Sequence, residues 1–256
     1  MDSTEDLENN MSQAHSPKPR ILITIPTYNE VDALPVLINQ LRTDYPGITI
    51  LVIDDNSPDG TGKLADSLAE NDTGIKVLHR SGKKGLASAY ISAFRWGEQH
   101  GYDWVCEMDA DGSHHPRDLR RLLAQIPDSD LIIGARWIPG GQVPGWSLLR
   151  VWLSRLGNTY IRLMLGMKVH DATAGYRLYR VSQLPKLDLD TLGARGYVFQ
   201  AVATYRATVA GLRITEVPVK FSERIAGESK MNANIFTESL LIVTRWGIER
   251  LFQRFR

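Results

Sequence analysis

The sequence predicts an α/β protein, a mostly parallel mixed sheet flanked by helices. Three observations predict it. From residue 21 to about residue 135, short β-branched runs alternate with segments of helical spacing, the order of strand–helix–strand units. The runs are continuously apolar, as strands buried on both faces are. They also end in polar clusters: Tyr28, Asn29 and Glu30, then Asp54 and Asp55, then Asp109 and Asp111. Open parallel sheets bind ligands beyond the carboxyl ends of their strands, so these clusters are expected along one edge.

Each element has its own warrant. Residues 21–25 are a β-branched run stopped at Pro26, a buried strand. Residues 33–41 have helical spacing. Residues 48–53 are a second strand, closed by Asp54 and Asp55. Asn56, Ser57-Pro58 and Asp59-Gly60 are turn chemistry, and a helix through Leu64 and Leu68 follows. Residues 75–78 make a third strand, and residues 86–99 are helical after Gly82 and Gly85. Residues 104–108 are a fourth strand that ends at Asp109. A helix over 119–126 and a strand over 131–134 complete the alternation. Further on, residues 146–165 form an apolar helix carrying Arg150, Arg155 and Arg162. Residues 217–221 read as a strand, 224–230 as a loop, and 234 to the end as a helix.

The 256 residues are 43% hydrophobic and 23% charged, which supplies one sizeable core. A formal net charge of +1 gives no bulk electrostatic case for a nucleic-acid partner. The single cysteine, Cys106, lies in an apolar run and reads as a buried core thiol. It has no partner for a disulfide or a Cys-based metal site, which suits a reducing, cytoplasmic setting. Residues 1–19 are polar and acidic, with Pro17 and Pro19, and read as a disordered tail rather than a secretory signal. No stretch of about 18 uncharged apolar residues is present, so no spanning helix is expected.

Asp109-Ala110-Asp111 is the strongest local signal for chemistry. Two carboxylates at a strand end can share one divalent cation, and hard oxygen ligands suit magnesium or manganese. Such ions leave room for substrate phosphates, and the cation would neutralise charge on a departing diphosphate. Alone, the pattern also occurs in solvated turns. Asp55 suits the hydroxyls of a nucleoside or, equally, capping of the turn that follows. Arg136, Arg150, Arg224 and Lys230 are candidate phosphate ligands, although any single one also suits a solvated surface. Gly60-Thr61-Gly62-Lys63 is not a P-loop: Ser57 stands where the first glycine belongs, and Leu64 replaces the metal-binding hydroxyl. His114-His115 lacks the further ligands of a zinc site.

In order along the chain come Ile25-Pro26-Thr27-Tyr28-Asn29-Glu30, Asp54-Asp55-Asn56-Ser57-Pro58-Asp59-Gly60-Thr61 and Asp109-Ala110-Asp111-Gly112-Ser113-His114-His115-Pro116. They are followed by Gly134-Ala135-Arg136, Asp171-Ala172-Thr173-Ala174-Gly175-Tyr176-Arg177, Gly196-Tyr197-Val198-Phe199-Gln200 and Gly227-Glu228-Ser229-Lys230. Together these segments resemble the family-2 glycosyltransferases of GT-A fold, within them the dolichyl- and polyprenyl-phosphate mannose synthases. The first three motifs carry the wider family and the later ones the polyprenyl-phosphate branch. The resemblance implies that Pro26, Tyr28, Glu30, Ile53 and Asp55 line a nucleoside pocket. It implies that Asp109, Ala110 and Asp111 meet the metal and the diphosphate. Ser113 stands where some relatives carry a further metal ligand, Gln. Arg136, Arg224 and Lys230 would hold phosphates, with Arg150 beside them.

The implied reaction is inverting transfer of mannose from GDP-mannose to a polyprenyl phosphate, with Mg2+ or Mn2+. The processive sugar synthases of this fold carry Gln-x-x-Arg-Trp; here Ile242 replaces the glutamine before Arg245-Trp246. A phosphate acceptor, with a second pKa of about 6, is already anionic and needs cationic positioning rather than a general base. Two alternatives stand beside this reading: a glucosyl transfer from UDP-glucose, and a non-catalytic nucleotide-sugar-binding subunit. The expected layout is the tail over 1–19, a GT-A catalytic domain over 20–232 and an amphipathic helix over 233–256. The 146–165 helix groups Leu149, Trp152, Leu153, Leu156, Tyr160 and Leu163. The last helix groups Leu241, Ile248, Leu251, Phe252 and Phe255, with arginines off that face. Such faces suit peripheral contact with an anionic membrane on its cytoplasmic side, or a small or polytopic membrane-protein partner.

Overall fold

The structure, a computed structural model, describes residues 18–189, 198–223 and 233–253. Its centre is a seven-stranded sheet: β1 (Ile21–Thr27), β2 (Thr49–Asp54), β3 (Ile75–His79), β4 (Trp104–Glu107), β5 (Leu131–Ala135), β6 (Arg177–Arg180) and β7 (Ile214–Pro218). They lie in the order β3-β2-β1-β4-β6-β5-β7. Every pairing is parallel except the two made by β6. The helices are α1 (Ala33–Asp44), α2 (Thr61–Asn71), α3 (Leu86–Gln99), α4 (Pro116–Leu123), α5 (Leu148–Leu165), α6 (Val198–Val209) and α7 (Ala233–Gln253).

The continuous apolar runs behave as strands covered on both faces should. Leu22, Leu51, Ile53 and Val105 point to one side, under α3 and α6. Ile23, Ile50, Val52 and Cys106 point to the other, under α1, α2 and α4. A third, smaller cluster joins Leu165 and Met167, at and just beyond the end of α5, Ala201 of α6 and Val243 of α7. There Gly247 lets α7 approach closely: a Cβ at that position would lie 2.6 Å from the Met164 Cε of α5.

Several expectations need correcting. The strand expected over 217–221 is β7, Ile214–Pro218; beyond it come only isolated bridges, from Lys220 to Gln142 and from Phe221 to His114. The helix expected over 119–126 starts earlier, with His115 as N-cap and Pro116 in its first turn, and ends before Pro127. Pro116 fits there because its missing N–H would be unpaired in any case. Neither β6 nor α6 was expected. β6 is four residues with an arginine at each end, yet Arg177 has no solvent exposure. Its guanidinium donates to the carbonyls of Ala172, Ala174 and Gln200 and to the Tyr179 hydroxyl. α6 is buried nearly all round, so it lacks the polar stripe that marks a surface helix. The expectations for residues 1–17 and for 224–232 lie outside the described residues.

Candidate active site

The parallel strands do bring their carboxyl ends to one edge. β1 and β2 are in register, with Thr27 opposite Asp54. Asp54 closes the turn: its carboxylate accepts from the Thr27 hydroxyl at 3.2 Å, the Ser57 hydroxyl at 2.6 Å and the Ser57 N–H at 3.1 Å. Asp59 holds the next step, accepting from the Thr61 hydroxyl and from the N–H groups of Thr61 and Val31. The capping role thus belongs to Asp54 and Asp59. Asp55 is left for other work.

Asp55 is buried and paired with Arg80, Nη1 to Oδ1 at 2.7 Å, and Arg80 also donates to the Ser88 hydroxyl. Burial raises the Asp55 carboxyl above its usual range, and the Arg80 guanidinium pulls in the opposite direction. Tyr28, directly after β1, is half-buried, with the Lys83 ammonium 4.0 Å from its ring centroid. Pro26 pairs with Ile53 across the β1–β2 register. Glu30 donates its N–H to the Thr61 hydroxyl. Ile53 is wholly buried in the cluster under α3, so its side chain is core.

Asp109 follows β4. The Tyr90 hydroxyl donates to its Oδ1 at 2.9 Å, and its backbone N–H donates to His114 Nδ1 at 3.0 Å. An Nδ1 that accepts puts the His114 proton on Nε2. Burial, then the Asp109 charge, pushes the Tyr90 phenol well above its ordinary value, so it stays a donor. Asp111 is buried and accepts the Ser113 N–H at 3.0 Å. The Ser113 hydroxyl is buried and has no hydrogen-bond partner among the described residues. Ala110 is buried between the two carboxylates.

Behind this pair sits a polar network. Glu107 has no solvent exposure and accepts from Gln200 Nε2 at 2.8 Å. Burial pushes its carboxyl up to about 8, against the opposing pull of Arg177 and the Gln200 hydrogen bond.

Arg136 follows β5. Its Nε and Nη2 donate to both oxygens of the fully buried Asp171, at 2.8 and 2.7 Å, and its backbone N–H adds a third bond at 2.8 Å. The loop that carries Asp171 is itself anchored. Glu216 of β7 accepts the N–H groups of His170 and Asp171, Arg177 holds the carbonyls of Ala172 and Ala174, and Asn158 of α5 bonds Thr173 in both directions. Arg136 also touches an aromatic wall, its Cζ 5.3–5.7 Å from the rings of Trp137, Trp146 and Phe221. Arg150 stacks over Trp146 at 3.7 Å and lies 3.8 Å from Glu223. Phe221 meets the His114 ring edge-on at 5.5 Å. Contacts therefore run from Asp109 through His114 and Phe221 to Arg136, Trp146 and Arg150.

The structure thus brings together Asp109, Asp111, Ser113, Arg136 and Arg150, and separately groups Asp55 with the first strand ends. Arg224 and Lys230 lie outside the described residues. Sequence reasoning missed Arg80, Tyr90, Asp171 and Gln200 as supporting groups. Asp171 and Gln200 stand in motifs that carry the family resemblance, and Arg80 directly follows β3; these were the available signals. Trp246, of the failed processive motif, packs on Tyr205 at 5.5 Å.

A sheet of this order, with its carboxylate pair after β4, is a GT-A fold, the architecture of nucleotide-sugar transferases. The chain belongs to glycosyl transferase family 2, whose model matches residues 22–187. It is 48% identical over 237 residues to the undecaprenyl-phosphate mannosyltransferase of Micrococcus luteus, covering 93% of this chain and 98% of that one. It is 46% identical to the polyprenol monophosphomannose synthase of Mycolicibacterium smegmatis, covering 94% and 91%. Among solved structures, glucosyl-3-phosphoglycerate synthase from Mycobacterium tuberculosis, with Mn2+ and UDP-glucose, has a TM-score of 0.62 at 19% identity, covering 94% of this chain and 80% of that one. A mannosyltransferase from Pyrobaculum calidifontis, with GDP-Man and Mn2+, has a TM-score of 0.58 at 19% identity, covering 93% and 65%. At these identities the two structures speak to the fold.

Proposed function

We propose that the chain transfers mannose from GDP-mannose to a polyprenyl phosphate, with inversion, at the edge built by Asp109, Asp111, Arg136 and Arg150. The observation that carries this reading is the continuous contact from the carboxylate pair to a cationic, aromatic wall. One end suits a metal-bound diphosphate and the other suits a second phosphate. The names of the Micrococcus and Mycolicibacterium relatives, an undecaprenyl-phosphate mannosyltransferase and a polyprenol monophosphomannose synthase, support the same pairing of sugar and acceptor.

A divalent cation fits the residues present. Asp109 and Asp111 are hard oxygen donors, and the buried, unpartnered Ser113 hydroxyl is a third. Among the described residues no group of three or more His, Cys, Asp or Glu forms a closed metal cage. That suits Mg2+ or Mn2+, which bind through one or two carboxylates and complete their shell with phosphates and water. When bound, the cation supplies charge neutralisation at the leaving diphosphate.

The chain's own residues do the rest. Asp55 accepts hydrogen bonds from the ribose hydroxyls, with Arg80 fixing its orientation. Tyr90 fixes the Asp109 carboxylate. Asp171 clamps one edge of the Arg136 guanidinium and leaves the remaining nitrogen to a phosphate oxygen. Arg150, with Arg224 and Lys230 by resemblance, adds positive charge for the acceptor. The acceptor phosphate oxygen forms a bond to the mannose anomeric carbon as the bond from that carbon to the diphosphate oxygen breaks, and GDP departs. The acceptor is anionic near neutral pH, so no base need remove a proton. Attack opposite the leaving group inverts the anomeric centre and gives the β-linked product.

The test is transfer of labelled sugar to polyprenyl phosphate, comparing GDP-mannose with UDP-glucose, for the unmodified chain and Asp111→Ala. Transfer from GDP-mannose that vanishes reversibly in chelator, and vanishes in the variant, is expected. Preference for UDP-glucose, or full turnover in excess chelator, overturns the reading.

A further inference from the structure

Asp109 and Arg136 stand after different strands, and donor and acceptor meet only if the two are held at a fixed separation. On the open side the connection between them passes through the rings of His114 and Phe221. A second connection runs behind them, inside the protein, and its links are hydrogen bonds. Its centre is Gln200, the third residue of α6, which is 4% exposed.

Gln200 reaches toward both ends. Its side-chain Nε2 donates to Glu107 Oε2 at 2.8 Å. Glu107 is the last residue of β4, wholly buried, two residues before Asp109. The backbone carbonyl of Gln200 accepts from Arg177 Nη1 at 3.0 Å. Arg177 opens β6, lies opposite Glu107 in the β4–β6 register and is also wholly buried. Its Nε and Nη2 hold the carbonyls of Ala174 and Ala172 at 2.6 and 2.7 Å. Those carbonyls flank Thr173, in the loop that meets Arg136 through Thr173 and Asp171. Glu107, Gln200, Arg177 and Asp171 are thus four buried polar residues in one path from the carboxylate pair to Arg136. Burying such groups gains little stability over apolar residues of the same shape. A satisfied polar network does fix one arrangement, where apolar packing tolerates several.

We propose that Gln200 is a positioning residue for the transfer reaction. It ties the strand end that carries Asp109 and Asp111 to the loop that aims Arg136, and so fixes the distance between the departing diphosphate and the attacking phosphate. Only a reaction with phosphates at both ends requires that distance, so the assignment rests on the mannosyl-transfer reading. Reacting atoms have to sit about 3–3.5 Å apart with orbitals aligned, and a misplacement of about 1 Å costs roughly a hundredfold in rate. GDP binding uses the near end alone. The tie is therefore felt in the rate of the fully bound complex and not in GDP affinity.

The test is single-turnover transfer from GDP-mannose to polyprenyl phosphate by full-chain variants, with GDP affinity and melting temperature measured beside it. Glu107→Gln is the reference: its amide oxygen still accepts from Gln200, and no carboxylate is stranded when the partner changes. Glu107→Gln/Gln200→Leu cuts the tie. Its rate with both substrates saturating should fall about ten- to a hundredfold below the reference, with GDP affinity within about twofold. Glu107→Gln/Gln200→Glu reverses the hydrogen bond, since the new amide donates to the new carboxylate, and should recover most of that loss. In an Arg136→Ala background the cut should cost about threefold or less, because no aimed guanidinium remains to misplace. A cut variant as fast as the reference overturns the proposal. So does a folded reversed pair as slow as the cut one, which also decides the matter if the cut variant does not fold. An equal loss with and without Arg136 overturns it too, as does a loss matched by weaker GDP binding. No transfer from GDP-mannose by the unmodified chain would sink the mannosyl-transfer reading, and this assignment with it.

Discussion

Asp171 has no solvent exposure, and Arg136 gives it three hydrogen bonds. Removing one partner of such a pair leaves the other charge buried and uncompensated, a loss of about 3–5 kcal/mol. Asp171→Ala is therefore expected to lower thermal stability sharply and to cut transfer as much as a change at Arg136 itself; denaturant unfolding with single-turnover transfer checks both. Arg80 stands in the same relation to Asp55. Nucleoside hydroxyls need the carboxylate form, so GDP affinity should fall as pH falls through the raised Asp55 pKa. Arg80→Gln removes the cation that opposes that rise. Its GDP affinity should be about tenfold weaker near neutral pH, roughly one charge-assisted bond. The acid-side loss should begin at higher pH, as calorimetric titration across the acidic range will read. Asp109, Asp111 and Asp55 were legible in the sequence because each directly follows an apolar strand, a local mark. Asp171, Tyr90 and Arg80 act through partners distant along the chain; a strand end can mark the residue, as it does Arg80, but not the partner it serves.

The same divide holds for elements. β1 to β5 and α1 to α3 were legible because their apolar periodicity survives in the sequence. β6 was not, because its core-facing Arg177 reads as surface until the carbonyls of Ala172, Ala174 and Gln200 are seen around it. α6 was not, because a helix buried over most of its surface shows little amphipathic period. α5 and α7 show the opposite ambiguity: each has an apolar face, and sequence alone does not say whether protein or lipid covers it. In α7 both occur. Val243 is buried against α5 and α6, whereas Leu241, Ile248 and Phe252 point to solvent. Gly247 is what lets the buried side close. Gly247→Val would place a branched side chain where Met164 already lies, an overpacking loss of about 1–3 kcal/mol. The expected outcome is a lower melting temperature with GDP binding unchanged below the transition, followed by calorimetry and nucleotide titration.

At the scale of the whole molecule, Glu107 gives the fold a pH dependence. Burial raises its carboxyl from 4.5 to about 8, so the folded state holds a proton that the unfolded chain releases. The stability from this group is complete below the unfolded value and is lost as pH rises toward about 8. Glu107→Gln should flatten that slope and gain most over the parent on the alkaline side; melting temperature against pH measures it. The described residues include no helix long and apolar enough to cross a membrane. The strand order has a consequence of another kind. β1 pairs with β2, β2 with β3 and β4 with β1, so each strand from β2 to β4 pairs with one that precedes it in the chain. β5 has no such partner: both of its neighbours, β6 and β7, follow it. Chains leave the ribosome N-terminus first. The half of the sheet that carries Asp55 and Asp109 therefore has all its pairing partners in hand before the half that carries Arg136, and the arginine gets its place only when β6 and β7 lock β5 between them.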